Sequence, residues 1–230
     1  MKPTDWNSIA SQYSTIADAR LVRVFPEAVR LLLDRGCSSL LDYGAGDGRF
    51  VEAWLDSNGG SAVAYDPAPE MRRMATSRLT RFLHRANVVG DLEGLDGRFD
   101  AVTFHAVWMC LKDRSVCMSC LHKAKQVLRD RGAFIASVTH PCFRDKQFAT
   151  FRTSFAMENY GTEGAAFQVS MFDGERVIEF VDHHWSLGEM SRQLHDSGFA
   201  ITELLELPDV EDAPWPRSFP WLIFVAEKVA

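Results

Sequence analysis

Short apolar runs alternate along this chain with stretches in which apolar residues recur at every third or fourth position. The runs are Leu40–Asp42, Ser61–Tyr65, Asn87–Gly90, Phe99–Phe104 and Gly132–Thr139, and their length and content predict buried strands. Helical spacing predicts helices over 5–16, 20–34, 48–57, 69–83 and 113–129. Strand and helix taking turns in this way indicate βαβ units, which build a parallel sheet. A further helix, Leu187–Ser197, stops at Gly198. FAITELLEL (199–207), a polar and proline-rich loop from Pro208 to Pro220, and the apolar WLIFVAEK (221–228) follow it. These last two runs are expected to pair as neighbours.

Residues 141–185 break the alternation. A stretch of this length between a strand and the next helix is expected to carry structure or function of its own. PCFRDKQFATFRTSF (141–155) sets Phe148, Phe151 and Phe155 on one helical face, and FQVSMFDGERVIEFVDHHW (167–185) reads as two strands joined at Asp173-Gly174. The expected organisation is a core domain of residues 1–140 and 186–230, with 141–185 inserted as a lid of one helix plus a β-hairpin. The phenylalanine stripe faces either the core of the lid or an apolar substrate.

With 230 residues, 47% of them hydrophobic, the chain can bury a full core without disulfides or metal. A net charge of −6 and a pI of 5.6 disfavour the phosphate-tracking surface that a nucleic-acid partner needs. No run approaches the roughly 18 apolar residues of a membrane-spanning helix. MKPTDWNS lacks the apolar stretch of a secretion signal, so a cytoplasmic protein with no membrane association is expected. Five cysteines, an odd number, argue against a disulfide framework. Cys117 and Cys120 form a CxxC pair with Cys110 upstream, but they fall in a helical stretch with no second pair, so no metal site is expected.

The candidate chemistry begins where the first strand meets Gly44, Gly46 and Gly48. Three glycines at alternate positions continue neither strand nor helix, so the backbone turns sharply and can approach a ligand closely. Asp42 ends the strand and Asp47 lies inside the turn. The GxGxG spacing departs from the dinucleotide fingerprint, no Lys-Ser or Lys-Thr follows as in a phosphate loop, and the acids repel phosphate. A ligand with an amino group, a sulfonium and a ribose suits the turn better. Asp66 closes the second strand 24 residues after Asp42 (66 − 42), near the interval at which an acid meets ribose hydroxyls. Asp91-Leu92 after the third strand offers a polar and an apolar contact to an adenine edge.

In LLDYGAGDG (40–48), VAYD (63–66), GDL (90–92) and FDAVTFHAVW (99–108), the chain resembles the class I S-adenosylmethionine-dependent methyltransferases. Four motifs in order carry that resemblance over about residues 5–140, and it resumes over 186–230. It implies a Rossmann-like α/β fold: a seven-stranded sheet of order 3-2-1-4-5-7-6, the last strand antiparallel, helices on both faces and the lid between strands 5 and 6. It also implies S-adenosyl-L-methionine as cofactor. Gly44 and Gly46 would line its methionine part, Asp42 its amino group, Asp66 its ribose, and Asp91 and Leu92 its adenine, with Pro67, Met71 and His105 also expected to contact the cofactor. Tyr13 either closes over the cofactor carboxylate or packs its helix.

Methyl transfer asks the protein to align nucleophile, methyl and sulfur and to exclude water. A hydroxyl nucleophile also needs a base, and histidine fits. His105 ends the fourth strand and His140 the fifth, both on the sheet edge where ligands bind, so each is a candidate catalytic base or a residue that positions ligands. Of His183 and His184 at most one points inward. The Asp/Asn-Pro-Pro-aromatic motif of base amino-methylases is missing, and Pro141-Cys142 follows the wrong strand for a cytosine methylase thiol. Arg144, Lys146 and Arg152 suggest either an anionic substrate or a solvated basic face. The expected function is methylation of O, N or C of a small, partly aromatic metabolite. The alternatives are an RNA or protein methyltransferase and a non-catalytic cofactor-binding protein.

Overall fold

The structure is a computed structural model that describes residues 1–2, 4–16, 23–57, 59–208 and 218–229. Residues 20–22 of the expected second helix and 209–217 of the expected proline-rich loop lie outside the described residues.

The chain opens with α1 (Trp6–Thr15), capped by the Asp5 carboxylate accepting from the Asn7 N–H at 3.1 Å, and α2 (Val24–Asp34). The alternating core follows: β1 (Ser39–Tyr43), α3 (Arg49–Asp56), β2 (Ser61–Tyr65), α4 (Pro69–Arg78), β3 (Ala86–Val89), β4 (Phe99–His105), α5 (Arg114–Val127) and β5 (Leu128–Thr139). Next come β6 (Phe151–Thr153), β7 (Ala165–Asp173), β8 (Arg176–His184), α6 (Leu187–Asp196), β9 (Phe199–Leu207) and β10 (Trp221–Lys228). Seven strands form one sheet of order β3-β2-β1-β4-β5-β10-β9, which is the expected 3-2-1-4-5-7-6 when core strands alone are counted. Strands β1 to β5 pair in parallel, whereas β10 runs antiparallel to both β5 and β9.

The central strands are buried on both faces because helices cover them, which is why they read as continuous apolar runs. Val24, Phe25 and Leu32 of α2, Phe50 and Trp54 of α3, Leu121 and Ala124 of α5 and Met190 of α6 all enter this one core. Ser186 caps α6: its hydroxyl accepts from the Glu189 N–H at 3.2 Å. The helix expected to run on to residue 129 ends at Val127, because β5 begins at Leu128; Arg131 at φ 58 and a register shift between Phe99 and Ala101 mark an irregular start to that strand. Among the described residues no helix is long and apolar enough to cross a membrane.

The insertion differs from its expectation. Residues 141–185 hold no α-helix; β6, β7 and β8 make a separate three-stranded antiparallel sheet, with single 3₁₀ turns at Pro141–Phe143 and Met157–Asn159. The stripe of Phe148, Phe151 and Phe155 misled because its spacing suits a helix, yet a turn closed by the Phe148 N–H on the Phe151 carbonyl at 2.8 Å separates the first two. From there Phe151 and Thr153 point inward and Arg152 outward, the period of a strand. Phe148 and Phe151 join the main core, whereas Phe155 packs on Phe167 in a second cluster. The hairpin forms as expected, with Asp173 opposite Arg176 and Gly174 turning at φ 61.

A buried polar pair holds this sheet to the core. Arg144, expected on a basic face, is fully enclosed: Nη1 donates to His184 Nδ1 at 2.8 Å, Nη2 donates to the Thr139 carbonyl at 3.2 Å, and the guanidinium lies 4.8 Å from the Phe167 ring centre. His184 in turn meets the Tyr160 carbonyl through Nε2 at 2.7 Å and stacks on Phe155 at 4.1 Å. That pattern requires a neutral imidazole with its proton on Nε2. Burial and the Arg144 charge push its pKa down from 6.5 to about 4. A histidine so depressed contributes stability that is complete above its ordinary pKa and is lost as pH falls through the folded value. Urea unfolding from pH 7 down to pH 4 is therefore expected to cost the wild type at most about 3 kcal/mol more than it costs His184→Gln. Equal losses in the two proteins would remove His184 as the acid-sensitive point.

Candidate active site

The turn after β1 is built as its glycines suggest. Gly44, Gly46 and Gly48 all have positive φ, at 77°, 56° and 83°. The Gly44 and Ala45 N–H groups donate to the Tyr65 carbonyl at 2.7 and 2.8 Å, which pulls the turn over the end of β2. A Cβ on Gly44 would sit 2.5 Å from Val107 Cγ2, and one on Gly48 would sit 3.2 Å from Ala75 of α4. At Gly46 the direction of a Cβ is open space.

Asp66 ties this turn to β2. Its Oδ2 accepts from the Gly46 N–H and its Oδ1 from the Ala68 N–H, both at 2.8 Å. Burial raises its pKa, and the two backbone donors oppose that rise. Asp42, 2% exposed, accepts from the Thr103 hydroxyl of the neighbouring β4 at 2.8 Å.

Asp47 has a different role from the one its position in the turn suggested. It lies 3.0 Å from Arg49 Nε and 2.9 Å from Arg78 Nη2, so its charge is met by two guanidiniums. Arg49 also donates to the carbonyls of Ser14 and Ile16 and so pins the end of α1 to the turn.

A cavity of about 290 Å³ runs from this turn to the inserted sheet. Tyr13, Asp42, Gly44, Gly46, Asp66, Pro67, Met71 and His105, all expected at the site, line it together. Asp91 and Leu92 do not: Asp91 is exposed and closes a local turn on the Glu93 N–H, and Leu92 belongs to the main core. His105 at the end of β4 is buried, its Nδ1 2.9 Å from Ser137 Oγ and its ring against Phe50 at 4.1 Å and Phe25 at 5.4 Å. Ala106 follows at φ 57, a conformation that side chains rarely adopt and that tends to persist at functional sites.

His140, the other expected catalytic candidate, is not in the cavity wall. Its Nδ1 accepts from the Cys142 N–H at 3.2 Å and its Nε2 lies 2.8 Å from Glu206 Oε1. With both nitrogens engaged it caps the 3₁₀ turn after β5 and fastens that turn to β9, and burial lowers its pKa. It does end β5, but its ring meets Glu206 of β9, two strands along the sheet. Cys142 is exposed, with Sγ 3.7 Å from the Tyr160 hydroxyl. His183 and His184 are both buried.

The cavity also has walls that sequence patterns did not single out. Trp6 and Tyr13 of α1 meet Phe180 of β8 with ring centres 5.5 and 6.4 Å apart, and Trp6 and Tyr13 meet each other edge-on at 5.5 Å. Thr4 Oγ1 donates to the Val181 carbonyl at 3.0 Å and accepts from the Val181 N–H at 2.8 Å, as a strand partner would. Thr139, Phe151, Asp182 and Trp221 complete the far end. Phe151 belongs to the phenylalanine stripe that was expected to face either the lid core or a substrate; for Thr139, Asp182 and Trp221 the only sequence signal was membership of the insertion or of the strand ends beside it. Among the described residues no group of three or more His, Cys, Asp or Glu side chains is placed to hold a metal ion.

Residues 41–136 match the methyltransferase domain family. No curated protein matches the chain. Solved structures share its fold at low identity. An S-adenosylmethionine-dependent methyltransferase from Clostridium acetobutylicum superposes with a TM-score of 0.68 at 13% identity, covering 98% of this chain and 99% of that one. One from Mesorhizobium loti gives 0.66 at 20% identity, covering 92% and 99%. The 1,6-didemethyltoxoflavin-N1-methyltransferase of Burkholderia thailandensis, solved with 1,6-didemethyltoxoflavin and S-adenosylhomocysteine, gives 0.63 at 17% identity, covering 98% and 84%.

Proposed function

Since the chain carries a methyltransferase domain on the fold of the S-adenosylmethionine-dependent enzymes, we propose that it methylates O, N or C of a small, partly aromatic metabolite. The observation that carries this proposal is a continuous cavity that joins the glycine turn to an apolar chamber under the inserted sheet. The Burkholderia structure, whose bound acceptor is a small molecule, supports the same class of substrate.

The residues fit S-adenosyl-L-methionine. The bare backbone at Gly46 keeps open space beside the buried Asp66 carboxylate, each of whose oxygens retains a lone pair for a ribose hydroxyl. Gly44 and Gly46 would border the methionine part and Asp42 its ammonium, while Pro67, Met71 and Tyr13 supply apolar wall. When bound, the cofactor supplies an electrophilic methyl on a sulfonium that carries its own leaving group.

The protein's own tasks are then orientation, exclusion of water and removal of a proton. Trp6, Tyr13 and Phe180 roof the cavity with rings, which keeps water from the reacting end. His105 is the proton acceptor in this proposal. Ser137 fixes its ring through Nδ1, and Phe25 and Phe50 hold the plane of the imidazole toward the cavity.

Incubation of the protein with methyl-labelled S-adenosylmethionine and metabolite extracts is expected to label a compound of low molecular weight with an aromatic absorbance. Label appearing only in RNA or protein would overturn the class of acceptor, and no label in any fraction would overturn the catalytic role.

A further inference from the structure

The carboxyl edge of the sheet sets polar side chains of the cavity in a row. His105 ends β4, and its Cα partner on β5 is Ser137. The Ser137 hydroxyl meets the His105 ring at 2.9 Å, so both side chains lie on one face of the sheet. Thr139 stands two residues further along β5 and therefore on that same face, about 7 Å beyond Ser137. Its Cα partner on the other side is Trp221 of β10, whose ring packs on Phe151 of the inserted sheet at 5.4 Å. His105, Thr139, Phe151 and Trp221 all line the cavity.

Phe151, Val169, Met171 and Trp221 give the wall around Thr139 its apolar surface. Thr139 is 4% exposed, and its hydroxyl oxygen is enclosed and makes no hydrogen bond among the described residues. A hydroxyl in that state costs free energy that valine, of nearly the same shape, would not. The backbone beneath it is fixed, because the Thr139 carbonyl accepts from Arg144 Nη2 at 3.2 Å. The side chain is less constrained: a turn of about 120° about χ1 exchanges the hydroxyl and methyl of a threonine within one volume. No hydrogen bond among the described residues opposes that turn, so an occupant with a polar group gains a partner at this point.

We propose that Thr139 anchors the acceptor: its hydroxyl holds one uncharged polar group of a flat apolar molecule, while a second polar group, on the opposite edge of the ring system, faces His105. This rests on the methyltransferase assignment and deepens it by naming the acceptor class, a fused or extended ring with two polar substituents far apart. The anchor sets which of the two substituents is presented for methylation. Lys146 and Arg152, which suggested either an anionic substrate or a solvated basic face from sequence, take no part: Lys146 pairs with Asp145, Arg152 faces solvent, and neither lies in the cavity wall.

The test uses the whole chain saturated with S-adenosylhomocysteine and two probes, 2,6-dihydroxynaphthalene, with a hydroxyl on each edge, and 2-naphthol, with one. Calorimetry is expected to show the diol binding the wild type at least about tenfold more tightly than the naphthol, the scale of one buried hydrogen bond. Thr139→Val is expected to bring the ratio to within about threefold, and Thr139→Ser, which keeps the hydroxyl, to leave it at about tenfold. S-adenosylhomocysteine affinity is expected to be the same in all three proteins, which a general collapse of the cavity would not allow. A smaller wild-type ratio, binding of neither probe, or a loss in Thr139→Ser equal to that in Thr139→Val would each overturn the proposal. A preference that survives Thr139→Val would overturn it too, by giving the anchor to another wall group such as Asp182. Thr139→Ala removes the same hydroxyl and decides the matter if the valine variant does not fold. S-adenosylhomocysteine that fails to bind would remove the methyltransferase assignment and this inference together, whereas bound S-adenosylhomocysteine without the expected ratios removes this inference alone.

Discussion

Asp66→Ala is expected to lower the affinity for S-adenosylmethionine about 100-fold, just under 3 kcal/mol, by calorimetry. The size follows from what the carboxylate holds. It accepts from the N–H groups of Gly46 and Ala68, so alanine removes a partner of the ribose and also leaves two loop donors without their acceptor. A buried donor left in that state costs about 1–3 kcal/mol unless water reaches it. Because the turn is held by this one side chain on one flank and by the Tyr65 carbonyl on the other, its shape changes as well. Asp66→Asn keeps one acceptor oxygen and is expected to cost about tenfold. Unchanged affinity in the alanine variant would take Asp66 out of the binding site.

His105→Ala is expected to slow methyl transfer at saturating cofactor by about 100-fold, the lower end of what a positioned base contributes, with S-adenosylmethionine affinity close to wild type. The rate is read against the acceptor fraction found by methyl labelling. The wild-type rate should fall on the acid side as the imidazole takes up a proton, and the variant should lose that limb of the profile. Full activity of the variant from about pH 6 to about pH 9 would leave alignment alone as the source of catalysis. His140→Ala is the contrast. Its imidazole joins Cys142 to Glu206 outside the cavity wall, so a lower unfolding midpoint with unchanged turnover per folded molecule is expected.

The core of the fold was legible because its signals are local. β2, β9 and β10 fall on the residues that their apolar runs marked, and β1 and β4 end one residue beyond theirs. β1 and β4, parallel and buried on both faces, announce themselves as apolar runs without reference to anything distant. The order of the strands came from the family resemblance, and the sheet matches it.

What was not legible depends on partners far apart in the chain. Whether Phe148, Phe151 and Phe155 lie on a helix is decided by a turn at residues 148–151 and by pairing with β7, and spacing alone records neither. Asp47 looked like free charge in the turn because Arg78 lies 31 residues away. His140 looked like a candidate base because its orientation is set by Glu206, 66 residues downstream. Asp182 offered no motif at all; it lines the cavity because its strand walls it.

The roof of the cavity is joined from two distant stretches, the segment from Thr4 to α1 and the strand β8. Its seam consists of the reciprocal hydrogen bonds between Thr4 and Val181, the Arg176 guanidinium on the Thr15 carbonyl at 2.8 Å, and ring contacts around Phe180. None of these belongs to either sheet's own ladder. A substitution confined to these attachments would therefore loosen the junction of the two stretches while leaving both sheets' ladders intact.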